Sequence, residues 1–191
     1  MARVLVACEY SGRVRDAFAA LGHEAWSCDF EPTESPGNHY RGDVRDLLSQ
    51  DWDLMVCHPP CTHLAVSGAR HFAAKAASGE QQAALDFVRL LMDANIPRIA
   101  LENPVSIISS KIRKPDQVIQ PWMFGHKRTK ATCLWLKHLP KLVPTEIMED
   151  RWWPEIHHAS PGPDRWKLRS RTFQGIANAM AAQWGPLLPT S

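Results

Sequence analysis

Long apolar runs are missing from this chain. The longest, such as Leu54-Met55-Val56-Cys57, fall far short of the ~20 residues a helix needs to cross a bilayer, which excludes a helical membrane protein. The opening residues, Met1-Ala2-Arg3-Val4-Leu5-Val6, lead straight into a strand-like pattern without the apolar stretch and cleavage site of a secretory leader. The cysteines Cys8, Cys28, Cys57, Cys61 and Cys133 are an odd set without disulfide spacing, so free thiols in a reducing cytoplasm are expected. Repeats and low-complexity tracts are absent. Charge of one sign is scarce overall, with a net of +2 beside 45% hydrophobic residues, and that excludes disorder as the main state. The 191 residues suffice for one domain with a real core and not for two full-sized ones.

What charge there is lies unevenly. Residues 1–110 hold 9 Lys and Arg against 14 Asp and Glu, a balance of −5, whereas residues 111–171 hold 13 against 6, or +7. The plain reading of a basic segment is solvated surface. Here Trp122, Trp135, Trp152, Trp153 and Trp166 are interleaved with the cations, and rings beside cations suit a ligand that carries both phosphate and base. The pattern does not separate a nucleic acid from a nucleotide.

Residues 3–8 form a short apolar, β-branched run followed by the turn Tyr10-Ser11-Gly12; Val14, Ala17, Phe18 and Leu21 then recur at helical spacing until Gly22. With residues 24–29 as a second strand, the chain opens as β-turn-α-β. Pro32, Pro36 and Gly37 predict a loop. Residues 53–57 read as a third strand, and 80–94 as an amphipathic helix with Phe87, Val88 and Leu91 on one side. Residues 96–101 read as a fourth strand ending at Glu102-Asn103-Pro104, 132–136 as a later strand and 176–184 as a closing helix. Strands alternating with helices predict an α/β fold, its mostly parallel sheet flanked by helices. A single domain over residues 1–191 is expected, with an irregular basic segment rich in Trp and Pro at about 137–171. Ligands of such sheets sit beyond the carboxyl ends of the strands. Cys8-Glu9, Cys28-Asp29, Cys57-His58 and Glu102-Asn103 put reactive side chains at four of those ends.

The segment from Asp53 to His63 carries the most chemistry. Pro59 and Pro60 fix the backbone before Cys61 and deny it regular helix or sheet, so a rigid loop presents the thiol in one orientation. An ordinary packed cysteine is the bland alternative. A thiol with a pKa of about 8.5 needs an electropositive setting to react, and His58 and His63 are candidates to provide it. Cys57, His58, Cys61 and His63 are zinc-ligand types, but they crowd into seven residues around the proline pair. Structural zinc sites draw their ligands from separate turns, so no metal is expected. Glu102 alone reads as a loop carboxylate; with Cys61 it offers a nucleophile and a hydrogen-bonding acid for an aromatic heterocycle. Cys8, Cys28 and Cys133 are expected to be packed, Trp152 and Trp153 to lie in the core, His157 and His158 to be exposed, and Gly68-Ala69-Arg70 to belong to a flap.

Pro59-Pro60-Cys61 after one apolar strand and Glu102-Asn103 at the next resemble the cytosine-5 DNA methyltransferases, whose loop reads Pro-Cys-Gln and whose acidic motif reads Glu-Asn-Val. Cys8-Glu9-Tyr10-Ser11-Gly12 is similar in position to that family's S-adenosylmethionine loop, with Glu9 and Ser11 where the family has glycines. Asp29 matches the acidic residue that holds the ribose hydroxyls, and Gly42-Asp43-Val44 resembles the motif whose aspartate contacts the adenine amine. Thr62 stands in place of Gln, Lys127-Arg128-Thr129-Lys130 approximates the basic motif, and Gly175-Ile176-Ala177-Asn178 the terminal Gly-Asn motif. Over nearly its whole length the chain also looks like compact methyltransferase-like proteins of phages and prophages, through Trp52 to Met55, His58 to Thr62, Gln120 to Trp122, Thr132 to Trp135 and Asp164 to Thr172. Residues 137–164 leave 28 positions for a target-recognition domain, below the ~40 that fold alone without staples.

The resemblance implies a Rossmann-like, S-adenosylmethionine-dependent methyltransferase fold, acting on carbon 5 of cytosine in DNA through a covalent Cys61 adduct. It implies a cytoplasmic setting, that of the host for a phage protein. Cys61 would add to the ring, Glu102 would stabilise the ring nitrogen, and Asn103 would orient Glu102 or the loop. Cys8, Glu9, Tyr10, Ser11, Gly12, Asp29, Asp43 and Pro59 would surround the cofactor. Pro60, Thr62, Arg128, Arg169 and Arg171 would meet the substrate, the arginines holding phosphate, with the base flipped out of its duplex. Three other readings stay open: methylation of a free cytidine nucleotide, methylation of an amino group (His58-Pro59-Pro60-Cys61 faintly resembles a Pro-Pro-Tyr motif), and a non-catalytic nucleic-acid-binding protein on the same fold. Oligomeric state is not legible in the sequence.

Overall fold

The computed structural model describes residues 1–149, 167 and 170–189. Trp152, Trp153, His157, His158, Asp164, Trp166 and Arg169 lie outside them, and so does much of the segment expected to be irregular. Residues 138–149 contain no helix or strand; an isolated bridge from Glu146 to Phe124 ties them down.

Among the described residues seven strands form one sheet. They are β1 (Arg3–Ala7), β2 (Glu24–Asp29), β3 (His39–Arg41), β4 (Leu54–Cys57), β5 (Arg98–Pro104), β6 (Gln117–Ile119) and β7 (Thr132–Lys137). Their order across the sheet is β3-β2-β1-β4-β5-β7-β6. β3, β2, β1, β4 and β5 run parallel, and β7 is antiparallel to both neighbours. Val4 to Ala7 of β1 and all of β4 are unbroken apolar runs because both their faces are covered. Alternate residues serve opposite layers. Val4 and Val6 pack with Phe18, Met180 and Trp184 beneath α1 (Arg13–Ala19) and the helix at the chain's end, whereas Leu5 and Ala7 pack with Leu85, Val88 and Leu91 beneath α3 (Glu80–Met92). Full burial of each Val, Leu, Phe or Met among them contributes about 1.5–3 kcal/mol. Other α-helices among the described residues are α2 (Phe72–Ala77), α4 (Ile108–Lys111) and the closing α5 (Gln174–Trp184).

The mostly parallel α/β sheet matches the reading of the sequence, with one consequential difference. Glu102, Asn103 and Pro104 were expected beyond the fourth strand, yet β5 runs through them, because antiparallel β7 pairs Glu102 with Leu134, Asn103 with Cys133 and Pro104 with Thr132. Proline is tolerated at that last position. Strands β3 and β6, three residues each, are too short to show a period, and α2 is likewise unforeseen.

Arg15, 1% exposed, is the least expected core residue. Its guanidinium donates to Asp16, Ser27 and Thr33 side chains and to the Ser35 and Pro36 carbonyls, which anchors the loop after β2 against α1. A side chain at Gly12, whose φ is +75°, would meet Arg15 Nη2 at 2.5 Å, so only glycine fits there.

Candidate functional site

Strand order reverses between β1 and β4, and the carboxyl ends of β1, β2 and β4 open there, where ligands of such sheets bind. A cavity of about 250 Å³ lies at this edge, lined among others by Cys8, Asp29, Phe30, Asp43, Pro60 and Phe87. That is near the lower end of small-ligand sites, ~300 Å³. Asp29 follows β2 and accepts the Glu31 N–H on Oδ1 at 3.0 Å; burial raises its pKa, with hydrogen bonds from the Glu31 and Phe30 backbones opposing. Asp43 accepts the Arg45 N–H at 2.9 Å and pairs with its guanidinium at 2.7 Å, and the backbone bond foremost lowers its pKa. Phe30, one of its lining residues, is 70% exposed.

The turn after β1 is shaped by Cys8 and Glu9. Cys8 takes a left-handed backbone, φ 59°, a conformation that is strained outside glycine. It turns Glu9 inward, where the carboxylate is 4% exposed and accepts Val14 N–H at 2.8 Å, Arg15 N–H at 3.3 Å and Ser11 Oγ at 3.1 Å. Glu9 thus caps α1 and supplies the negative charge that a helix N-terminus favours. Glu9, Tyr10, Ser11, Gly12 and Pro59 do not line the cavity. Tyr10 Oη donates instead to the Lys167 carbonyl and lies 3.2 Å from Ser170 Oγ. Arg171, expected on phosphate, pairs with both oxygens of Glu34 at 2.8 and 2.5 Å. Arg128 is half-buried, and its guanidinium donates to the Lys127 carbonyl.

Cys61 is exposed on the loop after β4. Its carbonyl accepts the N–H groups of Leu64 and Ala65, and the following Thr62 carbonyl accepts Lys75 Nζ. Asn103, 1% exposed on β5, donates from Nδ2 to the Pro59 carbonyl at 2.8 Å and so ties the proline pair to the neighbouring strand. One residue along β5, Glu102 accepts from His58 Nδ1 at 2.8 Å. Burial is the largest effect on Glu102 and opposes its ionisation, but the His58 hydrogen bond and charge, with Lys130, outweigh it and lower the pKa. Burial likewise works against charging His58, and Glu102 overcomes it, so that pKa is raised.

Neither of the two spaces at this edge is lined by both Cys61 and Glu102. Glu102 lines a crevice of about 10 Å³ with Lys130, Thr132, Thr172, Phe173 and Ile176, and Cys61 lines neither space. The other thiols are packed or raised out of reactivity. Burial foremost pushes Cys28 up to about 12, and Cys8, Cys57 and Cys133 above the ordinary thiol value. His58 was expected to electrify Cys61; the structure gives its Nδ1 to Glu102. Phe30, Arg45 and Phe87 were not foreseen at the cavity. Phe87 sits on the core-facing stripe of α3, so periodicity hid it among packing residues.

The chain matches no known protein family, and no curated protein matches it. Among solved structures, it is similar to an E. coli prophage protein provisionally described as a DNA modification methyltransferase. The match covers 78% of this chain and 52% of that one, with a TM-score of 0.53 and 14% identity. The chain therefore spans about half the length of that protein. The likeness establishes the architecture: a Rossmann-like methyltransferase fold with a seven-stranded, mostly parallel sheet flanked by helices.

Proposed function

We propose that this protein transfers a methyl group from S-adenosylmethionine to carbon 5 of cytosine in DNA. The observation that carries the reading is the Asn103 to Pro59 hydrogen bond. It joins the strand bearing Glu102 to the loop bearing Cys61, while Pro60, next to the thiol, lines the cavity on the other side. The loop that carries the thiol is thereby tied to the strand that carries the acid, and its Pro60 reaches the cavity.

The cavity fits the cofactor by its donor set. Asp29 offers a carboxylate to vicinal ribose hydroxyls, Phe30 and Phe87 add aromatic surface for adenine, and Asp43 lies among the lining groups. The Glu9 cap further favours a cofactor without phosphate, since a dinucleotide's pyrophosphate at α1 would meet a carboxylate where it needs donors. Bound there, S-adenosylmethionine supplies an electrophilic methyl group for carbon 5. The protein's part is covalent catalysis. The Cys61 thiolate adds to carbon 6, the Glu102 site supplies a proton to nitrogen 3, and Asn103 keeps the loop in register. After carbon 5 loses its proton, the carbon–sulfur bond breaks and the thiolate leaves. A pyrimidine does not fit the crevice beside Glu102, so the loop of Cys61 or residues 170–173 must shift when the base enters.

Incubation with a labelled methyl donor and either duplex DNA or dCMP, followed by nucleoside mass spectrometry, tests the reading. 5-Methylcytosine in DNA, lost in Cys61→Ser, is expected. Full activity in Cys61→Ser would point to amino methylation, and product from dCMP alone to a nucleotide enzyme.

A further inference from the structure

His58 has no part in the chemistry described so far, and its surroundings are unusual for an idle residue. Its backbone N–H donates to the Ala7 carbonyl, extending the β1–β4 pairing by one residue, and its partner Glu102 lies inside β5. The sheet rather than a loop thus fixes both members of the pair. Each side chain is 10% exposed. The far nitrogen of the imidazole, Nε2, is buried without a hydrogen-bond partner among the described residues. An apolar side chain would fill the same space without stranding a polar atom, so packing does not account for a histidine here.

Three charged groups among the described residues bear on the proton this pair shares. Glu102 faces His58 from β5, Glu9 from the turn after β1, and Lys130 from the approach to β7. Glu9 favours the imidazolium and Lys130 opposes it. The nearby thiols of Cys57 and Cys133 stay uncharged, because burial keeps their pKa values up. Such a pair titrates as a unit. A lone carboxyl facing a ring nitrogen has usually lost its proton by neutral pH, whereas a carboxylate backed by imidazolium holds one available close to neutrality.

We propose that His58 is a positioning residue for Glu102 and that the two together hold the proton which a cytosine ring takes on nitrogen 3. The inference rests on the cytosine reading above. As the Cys61 thiolate forms its bond to carbon 6, the electron pair displaced through the ring collects on nitrogen 3. One proton leaves the pair to form the N3–H bond, and imidazolium–carboxylate becomes imidazole–carboxylate. That proton moves from His58 Nδ1 to Glu102 Oε2, the oxygen it already bridges, and from that oxygen to nitrogen 3. When carbon 5 has been methylated and releases its proton to solvent, the thiolate departs and the N3 proton returns to the pair.

Two measurements test this. In ¹⁵N-histidine NMR, His58 is expected to titrate above the ordinary histidine value, and to fall below it in Glu102→Gln; identical titrations in the two proteins overturn the proposal. Rates of DNA methylation against pH are then compared for the parent, His58→Ala and His58→Asn, the last keeping an N–H donor near the position of Nδ1. His58→Ala is expected to lose about 10²-fold in kcat with KM for DNA little changed. His58→Asn is expected to regain part of the rate while losing the bend in the profile at the pKa read by NMR. An active parent whose rate and profile survive in His58→Ala overturns the inference alone. A parent that methylates no cytosine overturns the reading beneath it, and the inference with it.

Discussion

At the scale of single residues, the molecule depends on buried charge that is answered locally. Arg15, Glu9 and Glu102 are all 9% exposed or less, and each meets partners supplied by the chain itself. The His58–Glu102 pair makes stability depend on pH. The carboxyl is held below its ordinary 4.5, so its contribution is present above that value and is lost as pH falls through the lower folded value. The imidazole is raised above its ordinary 6.5, so its contribution is full below that value and is lost as pH rises through the higher folded value. Urea unfolding of the parent and of Glu102→Gln over a pH series should therefore differ most between about 4.5 and 6.5, and less on either side. A difference that stays constant with pH would contradict the pairing.

At the scale of elements, the loop bearing Cys61 is tied to the strand beside it, and α5 packs against the opposite layer of the sheet. Ile176, Met180 and Trp184 of α5 pack against the same core layer as Val14 and Phe18 of α1. The approach is closest at Gly175, where an added Cβ would lie 1.9 Å from the Phe124 carbonyl oxygen. Its N–H donates to His126 Nε2 at 2.9 Å, which requires that imidazole to be neutral at this nitrogen; burial foremost lowers its pKa accordingly. Gly175→Ala should cost at least about 2 kcal/mol, since backbone cannot step aside as a side-chain tip can. The change would be read as a fall in the midpoint of thermal unfolding. Because Thr172 and Phe173 of the same segment wall the crevice at Glu102, the variant should also loosen that wall.

At the scale of the whole molecule, charge sorts the chain into an acidic first part around the cavity and a basic stretch after it. Two members of the basic stretch already face acidic neighbours: Arg171 pairs with Glu34, and Lys167 lies 3.5 Å from Glu31. Both acids belong to the loop between β2 and β3. A DNA phosphate near these groups would compete with the carboxylates rather than meet unpaired cations. For a duplex neutralised at about six phosphates, affinity should fall about 10³-fold between 50 and 200 mM salt. A free nucleotide should show only a shallow dependence. Fluorescence anisotropy over a salt series distinguishes them, and a shallow slope with duplex DNA would exclude the basic stretch as its binding surface. No helix among the described residues is long and apolar enough to cross a membrane.

The sequence alone determined the α/β alternation, the two central strands and the position of the proline-bound thiol, because apolar runs and prolines act on the backbone where they stand. Residues 24–29 and the amphipathic stretch before Met92 were legible for the same reason. Tertiary structure decided what depends on neighbours distant in sequence. β7 extended β5 through Glu102, Glu9 turned to cap α1 because Cys8 adopts a left-handed turn, and Arg171 went to Glu34. The His58–Glu102 bond spans 44 positions, and no local period or motif encodes such a meeting. It exists because β4 and β5 lie side by side in the sheet, a fact of strand order that only the packed fold supplies.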